Sequence, residues 1–305
     1  MTGELGNVFA TYQATGNKED LSDFITNISP EETPAFDRLG TVGASATLHE
    51  WQIDSLAAAT SNAQVEGKLF SATAVTPTNR LSNRAQLFTK EFTVSDIQEV
   101  VNKAGRAKES AYQMVKAAKE LKRDCEWTLF NIGIDATGGA GGLGTGTKMK
   151  NIHAWISGTN NTGSVSTLTA GATAVMTESE FNASWQMVWN EGGKPNAVYV
   201  GGALKRLISG WGTSTSRVWS GEKKITNTVG VYEGDYGVLE VVLDRYTTAK
   251  GVYLVQEDLF KKAVLQPVKW KPLAARGLGQ DFMLYHTFTI ESRNASGSGY
   301  WYSAT

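Results

Sequence analysis

An α+β fold is predicted from three observations. Small and apolar residues recur at steps of three and four from Ile97 to Thr128, which marks a long helix. Phe282 to Glu291 alternates strictly and reads as a strand. Ahead of the helix lie an arm and a polar β excursion, neither with enough apolar residues to form a core of its own.

Composition narrows the function. The chain has 305 residues, with 29 basic against 30 acidic side chains. At roughly 150 residues per domain, that length admits two domains or one elaborate one. A net charge of -1 gives no global basic field, so nucleic-acid binding is not announced. The single cysteine, Cys125, forms no intramolecular disulfide and suits a reducing compartment. His49, His153 and His286 are far apart, and no HExxH or His/Cys cluster appears, so no metal site is expected. The N-terminus lacks a basic segment followed by an apolar run, so no signal peptide is expected. No run approaches 18 consecutive apolar residues, so no membrane span is expected either.

The elements follow in order. Residues 1–58 read as an extended arm with a helical patch from Asn17 or Lys18 over EDLSDFITNI, broken by Pro30 and Pro34. Residues 59–94 read as a two-stranded excursion turning near Thr76-Pro77-Thr78-Asn79. Its second limb runs from Gln86 to Val94 with Phe88, Phe92 and Val94 on one face. Ser95 and Gln98 fit a capping box, with Asp96 where the helix dipole favours an anion. The helix they open is predicted to reach about Asn131, bent near Gly105 and about 50 Å long at 1.5 Å per residue. Cys125 lies on its apolar stripe and reads as a small buried hydrophobe. Lys103, Arg106, Lys119, Lys122 and Arg123 fall on the opposite face.

A Gly-rich loop runs from Gly138 to Lys148, and a Ser/Thr/Gly loop from Ser157 to about Met176. Thr177 and Glu180 make a second capping box, opening a helix that carries Phe181, Trp185, Val188 and Trp189 and stops at Gly192-Gly193. A short strand at 195–200, a short helix at 203–209 and a polar loop at 210–221 come next. Strands at 237–243 and 251–255 precede the alternating strand, where His286 is expected to be a hydrogen-bonded structural residue.

Catalytic patterns are weak. Gly139, Gly141 and Gly144 match G-x-G-x-x-G, but that motif needs a strand before it and a helix after it. Gly141 and Gly146 have P-loop spacing, yet Thr147 stands where the lysine belongs. The pairs Glu31-Glu32 and Glu257-Asp258 read as turn or cap residues, and Lys205-Arg206 and Lys223-Lys224 make no patch. No catalytic, cofactor or metal residue is assigned. An enzyme using the Gly-rich loop stays open as a rival. So does a sugar-binding module on Trp155, Trp185, Trp189 and Trp211, although the spacing of Trp185 and Trp189 favours packing.

Several blocks, in order along most of the chain, resemble one family. They are EDLSDFITNISPEETPAFDRLG (19–40), LHEWQIDSL (48–56), NKAGRAKESAYQMVKAAKELKRDCEWTLF (102–130), VYEGDYGVLEVVLDRY (231–246), VYLVQEDLFKKAVLQPVKWKPLA (252–274) and YHTFTIESRNASG (285–297). Together they resemble the SU10-type major head, or major capsid, proteins of tailed bacteriophages, with the HK97-like fold. The resemblance implies an N-terminal arm (1–58), an extended E-loop (59–94) and a peripheral domain (95–139 and 251–305) with a spine helix over about 95–131. Residues 140–250 would form an axial domain.

It further implies pentamers and hexamers in a shell around double-stranded DNA, found in the virion and assembled in the host cytoplasm. Scaffold, portal and decoration proteins would be partners, with no membrane and no cofactor. An encapsulin-like compartment is the structural alternative. Trp51, Glu50, His49, Lys68, Arg80 and Arg84 are the expected assembly-interface residues, Trp51 anchoring the arm. Lys68 is also a conceivable isopeptide donor, but no acceptor can be named.

Overall fold

A computed structural model describes residues 29–69, 74–131, 139, 141–158, 162–163, 176–211, 230–247, 251–275 and 277–302. The predicted helical patch at 19–28 lies outside these residues. Pro34, whose missing N–H costs nothing at a helix start, opens α1 (Pro34–Arg38). The chain continues into β1 (Gly40–Gly43), β2 (Leu48–Ile53), β3 (Asn79–Arg84) and β4 (Gln86–Ser95). Two helices follow, α2 (Asp96–Val100) and α3 (Glu109–Phe130). Then come α4 (Ile152–Ser157), β5 (Thr162–Gly163), α5 (Glu178–Asn190), β6 (Ala197–Val200) and α6 (Gly202–Trp211). The chain closes with β7 (Val231–Gly234), β8 (Gly237–Leu243), β9 (Gly251–Val255), β10 (Phe260–Pro272), β11 (Gly279–Ser292) and β12 (Gly299–Tyr302).

The strands form a four-stranded sheet, β1-β10-β11-β4, a six-stranded sheet, β5-β12-β9-β6-β8-β7, and the separate pair β2-β3. The long hairpin β10–β11 is antiparallel, with irregular register between Val264 and Gln266 and between Gln266 and Lys269. The chain crosses from one sheet to the other between β9 and β10, through a short 3-10 turn at Glu257–Leu259.

The predicted strand is β11, and its register confirms the alternation: Phe282, Leu284, His286 and Phe288 stand opposite Phe92, Lys90, Phe88 and Gln86 of β4. The α3 stripe packs Ala117, Leu121, Cys125 and Leu129 into one core with Phe88, Leu284, Phe288 and Ile290. A ring stack of Phe88 on Phe288, 5.1 Å between centroids, sits in that core. His286 is buried, with Nδ1 2.8 Å from the Gln266 carbonyl, the structural role expected of it.

The helix itself is shorter than predicted. The segment 101–108 is not helical, and Gly105 adopts φ +74°, a left-handed conformation that interrupts a helix. Ser95 makes no side-chain capping bond. Glu99 instead accepts from the Ser110 backbone N–H (3.1 Å) and hydroxyl (2.8 Å), satisfying the start of α3 from outside. The 22 residues of α3 span about 33 Å.

The excursion also differs. Its first limb is β2, at 48–53 inside the predicted arm, paired with β3. The predicted second limb is β4, an edge strand of the four-stranded sheet, because Phe88 and Val94 are buried against the body.

The Thr177–Glu180 capping box is present in both directions. It starts α5, which buries Phe181, Trp185 and Val188; the first two join Val198, Val200 and Leu239 of the six-stranded sheet in a second core. The helix stops where Gly192 takes φ +85°. Gly193 then approaches the Gly297 backbone so closely that a Cβ there would lie 2.7 Å from Gly297 Cα.

Candidate assembly surfaces

The β2–β3 pair has two faces. His49, Trp51 and Ile53 of β2 are half-buried, while Leu48, Glu50 and Gln52 are exposed. Opposite them, Asn83 faces His49 and Leu81 faces Trp51. Trp51 Nε1 donates to the Ser292 carbonyl at 2.7 Å, and its ring lies 5.6 Å from that of Trp155 in α4. His49 Nε2 is 3.0 Å from Glu291 Oε2, and Arg293 Nε is 2.9 Å from Glu291 Oε1. Burial alone would push the Glu291 carboxyl up; hydrogen bonds from His49 and Arg293 outweigh it and hold it below its usual range.

The outer face carries Glu50 and Arg80, 3.3 Å apart, with Arg80 68% exposed. Arg84 is half-buried at the end of β3, where its backbone N–H donates to Asn83 Oδ1. Lys68 is exposed far along the connection and donates to Gln64. The six expected interface residues therefore do not form one cluster. His49 and Trp51 fasten the hairpin to its own subunit, Glu50 and Arg80 face outward, and Lys68 stands apart. Trp51 fastens β2 to Ser292 and Trp155 of the same chain. Between Ile53 and Asn79 no strand forms among the described residues, and Leu56, Leu69 and Val75 are exposed by 99%, 89% and 91%.

The end of the arm is held differently. Glu126 of α3 is wholly buried, and its two oxygens accept the backbone N–H groups of Ala35 (2.8 Å) and Phe36 (2.6 Å) at the start of α1. Burial and the neighbouring Asp244 charge push its carboxyl up to about 7, although these two donors oppose the rise. Around it Glu31 pairs with Lys119, Asp37 with Lys122 and Glu32 with Arg245. Arg38 forks onto both oxygens of Glu240 (2.8 and 2.7 Å) and reaches Glu257 at 2.6 Å. Glu257 also accepts from Tyr199 and Asn196. Neither Arg38 nor Glu126 carries a signal in the sequence, because each gains its meaning from a partner more than 85 positions away.

Within the Gly-rich loop, residues 141–145 make a tight turn bridged between Gly142 and Thr145, with positive φ at Gly141 and Gly144. The next helix, α4, begins only at Ile152, so the loop does not lead into a helix N-terminus as phosphate cradles do. Among the described residues no group of three His, Cys, Asp or Glu side chains could hold a metal. Of the four tryptophans considered for sugar binding, Trp155 and Trp185 are buried and Trp211 packs on the second core; Trp189 is 53% exposed.

A spine helix crossing one sheet, a second sheet beside it and an outlying β-hairpin define an HK97-like capsid protein. Solved structures share this build: the capsid of a native GTA particle (TM-score 0.68, 11% identity, 99% of this chain and 100% of that one) and the capsid of cyanophage A-1(L) (0.67, 12%, 93% and 94%). The family model for SU10 major capsid proteins matches residues 8–301. The chain belongs to that family. The major capsid protein of Escherichia phage Phieco32 is 24% identical over 345 residues, covering 97% of each chain.

Proposed function

We propose that this chain builds the shell of a tailed phage as pentamers and hexamers, enclosing double-stranded DNA without reading its sequence. The observation that carries the reading is the excursion beyond β2 and β3. Its apolar side chains are exposed in the single chain and need a surface to cover them. Apolar area covered there contributes about 25 cal/mol per Å² before association costs. A neighbouring copy supplies such a surface many times over in a closed shell.

The arm would comprise residues 1–58, and the excursion would rise from limbs 48–53 and 79–84. The peripheral part would hold α3 and the β10–β11 hairpin (within 95–139 and 251–305), and the axial part residues 140–250. The role is structural, not enzymatic. Assembly in the host cytoplasm would involve a scaffold and a portal, with decoration proteins added outside. Light scattering and electron microscopy on the chain, with and without co-expressed neighbouring genes, test the reading. Closed particles tens of nanometres across are expected. A chain that stays monomeric with its scaffold present would overturn it.

A further inference from the structure

We propose that Asn83 is the positioning residue that sets the angle at which the β2–β3 hairpin leaves the subunit. The inference rests on the shell-subunit reading above and gives that reading a control point. Asn83 lies in β3 and is only 4% exposed. Its side-chain amide makes four hydrogen bonds. Nδ2 donates to the Lys150 carbonyl (2.8 Å) and to the Ile290 carbonyl (2.7 Å). Oδ1 accepts from the backbone N–H of Lys150 (2.8 Å) and of Arg84 (2.9 Å). A primary amide has two donor hydrogens and an oxygen that accepts twice, so its capacity is filled. Against Lys150 it behaves as a strand partner would, giving one N–H and taking another.

The three segments it joins come from distant parts of the chain, and the amide is where all three meet. They are the excursion itself, the stretch leading from the Gly-rich turn into α4, and the central strand β11. Lys150 closes the circuit. Its ammonium sits 3.9 Å from the centroid of the Trp155 ring, which in turn lies against Trp51 of β2. Both strands of the hairpin thus converge on the segment 150–155, β3 through Asn83 and β2 through Trp51. The Asn83 amide fixes β3 by four directed bonds, as the Trp51 indole N–H to the Ser292 carbonyl fixes β2 by one, and directional bonds define an angle where apolar contact does not. The hairpin is a lever: the four residue steps from Asn83 to the far end of β3 at Asn79 span about 14 Å, so each 10° of rotation at the root moves that end by about 2.4 Å. A displacement of that size separates a matched contact on a neighbour from a mismatched one.

N83D keeps the shape, removes both donors and turns a carboxylate toward two carbonyl oxygens. N83A removes the amide altogether. Spin labels on full-length D54C/K116C report the hairpin against α3, since native Cys125 is 1% exposed and its thiol is pushed up to about 12 by burial. In the parent the distance distribution is expected to be narrow. In both Asn83 variants it should shift or broaden by about 5 Å or more, as roughly 20° of rotation at the root would give. The near-UV spectrum should be kept, while particles vanish or become uneven in diameter. Distance distributions that superimpose on the parent would overturn the proposal, whatever the melting temperature does. So would N83D particles of parental size and yield. If the parent chain forms no particles with its scaffold, the shell reading fails, while the label distances still decide the role of Asn83.

Discussion

Removing the Trp51 side chain should undock the excursion without unfolding the subunit. Truncating a fully buried Trp costs about 3–5 kcal/mol, and Trp51 is only half-buried, so the lower end applies. The parts agree with that choice. The hydrogen bond to Ser292 is worth about 1 kcal/mol and the ring contact with Trp155 about 1 kcal/mol, with the remainder from apolar burial. A loss of about 3 kcal/mol is a change of roughly 150-fold in the docking equilibrium. An isolated two-stranded hairpin is marginal in water, so the undocked pair should fray. Hydrogen exchange at the β2 and β3 amides of W51A should therefore accelerate on the order of a hundredfold, while α3 and β11 keep their protection. W51F, which keeps a ring but loses the N–H donor, should fall between. Unchanged protection in β2 and β3, or an equal loss of protection throughout the body, would refute the reasoning.

Three further changes probe the arm and the sheets. The Glu126 carboxyl is raised to about 7, so its ionisation opposes folding: its contribution is full below about pH 4.5 and is lost as pH rises through 7. The stability of the wild type relative to E126Q should fall by about 3 kcal/mol across that window in urea titrations, and a pH-independent difference would contradict this. R38A should cost about 1–2 kcal/mol, the part-exposed pair with Glu240 being discounted for solvent. R38K should recover little, because an ammonium cannot fork across Glu240 and Glu257 together. G193A should cost about 2–3 kcal/mol and lower the melting temperature, since the new Cβ would meet Val188 Cγ1 at 2.6 Å as well as the Gly297 backbone. A neutral result there would mean that the loop relaxes.

What could be read from the sequence was local. The Thr177–Glu180 box is a four-residue pattern and appears intact. The β11 alternation is a two-residue period: it sets Phe282, Leu284, His286 and Phe288 opposite β4 residues in register, while from His286 to Ser292 both faces are buried. The helix was overextended because Ala104, Ala107 and Ala111 continue the stripe of Leu121 and Cys125, and periodicity alone cannot register the left-handed Gly105 that ends it. β2 was hidden because LHEWQI alternates over only six residues, and its partner lies across a connection of 25 positions. Trp51 and His49 stood out by residue type, but their inward orientation depends on register. Asn83 had no signal: asparagine is usual near turns, and only Lys150 and Ile290 brought to the same place make it a junction.

The outlying hairpin bears on what happens to the chain before it is used. Among the described residues β2 and β3 join neither larger sheet, so their outer edges carry unpaired backbone groups. Bare edges of this kind invite fibril-like stacking wherever many identical chains crowd together. Here an in-register stack would set Glu50 against Glu50 and Arg80 against Arg80, while the registered partner of each is a different residue, Ser82 and Gln52. Like charges repeated along a stack repel. Repulsion of this kind disfavours stacking of the hairpin on its own image.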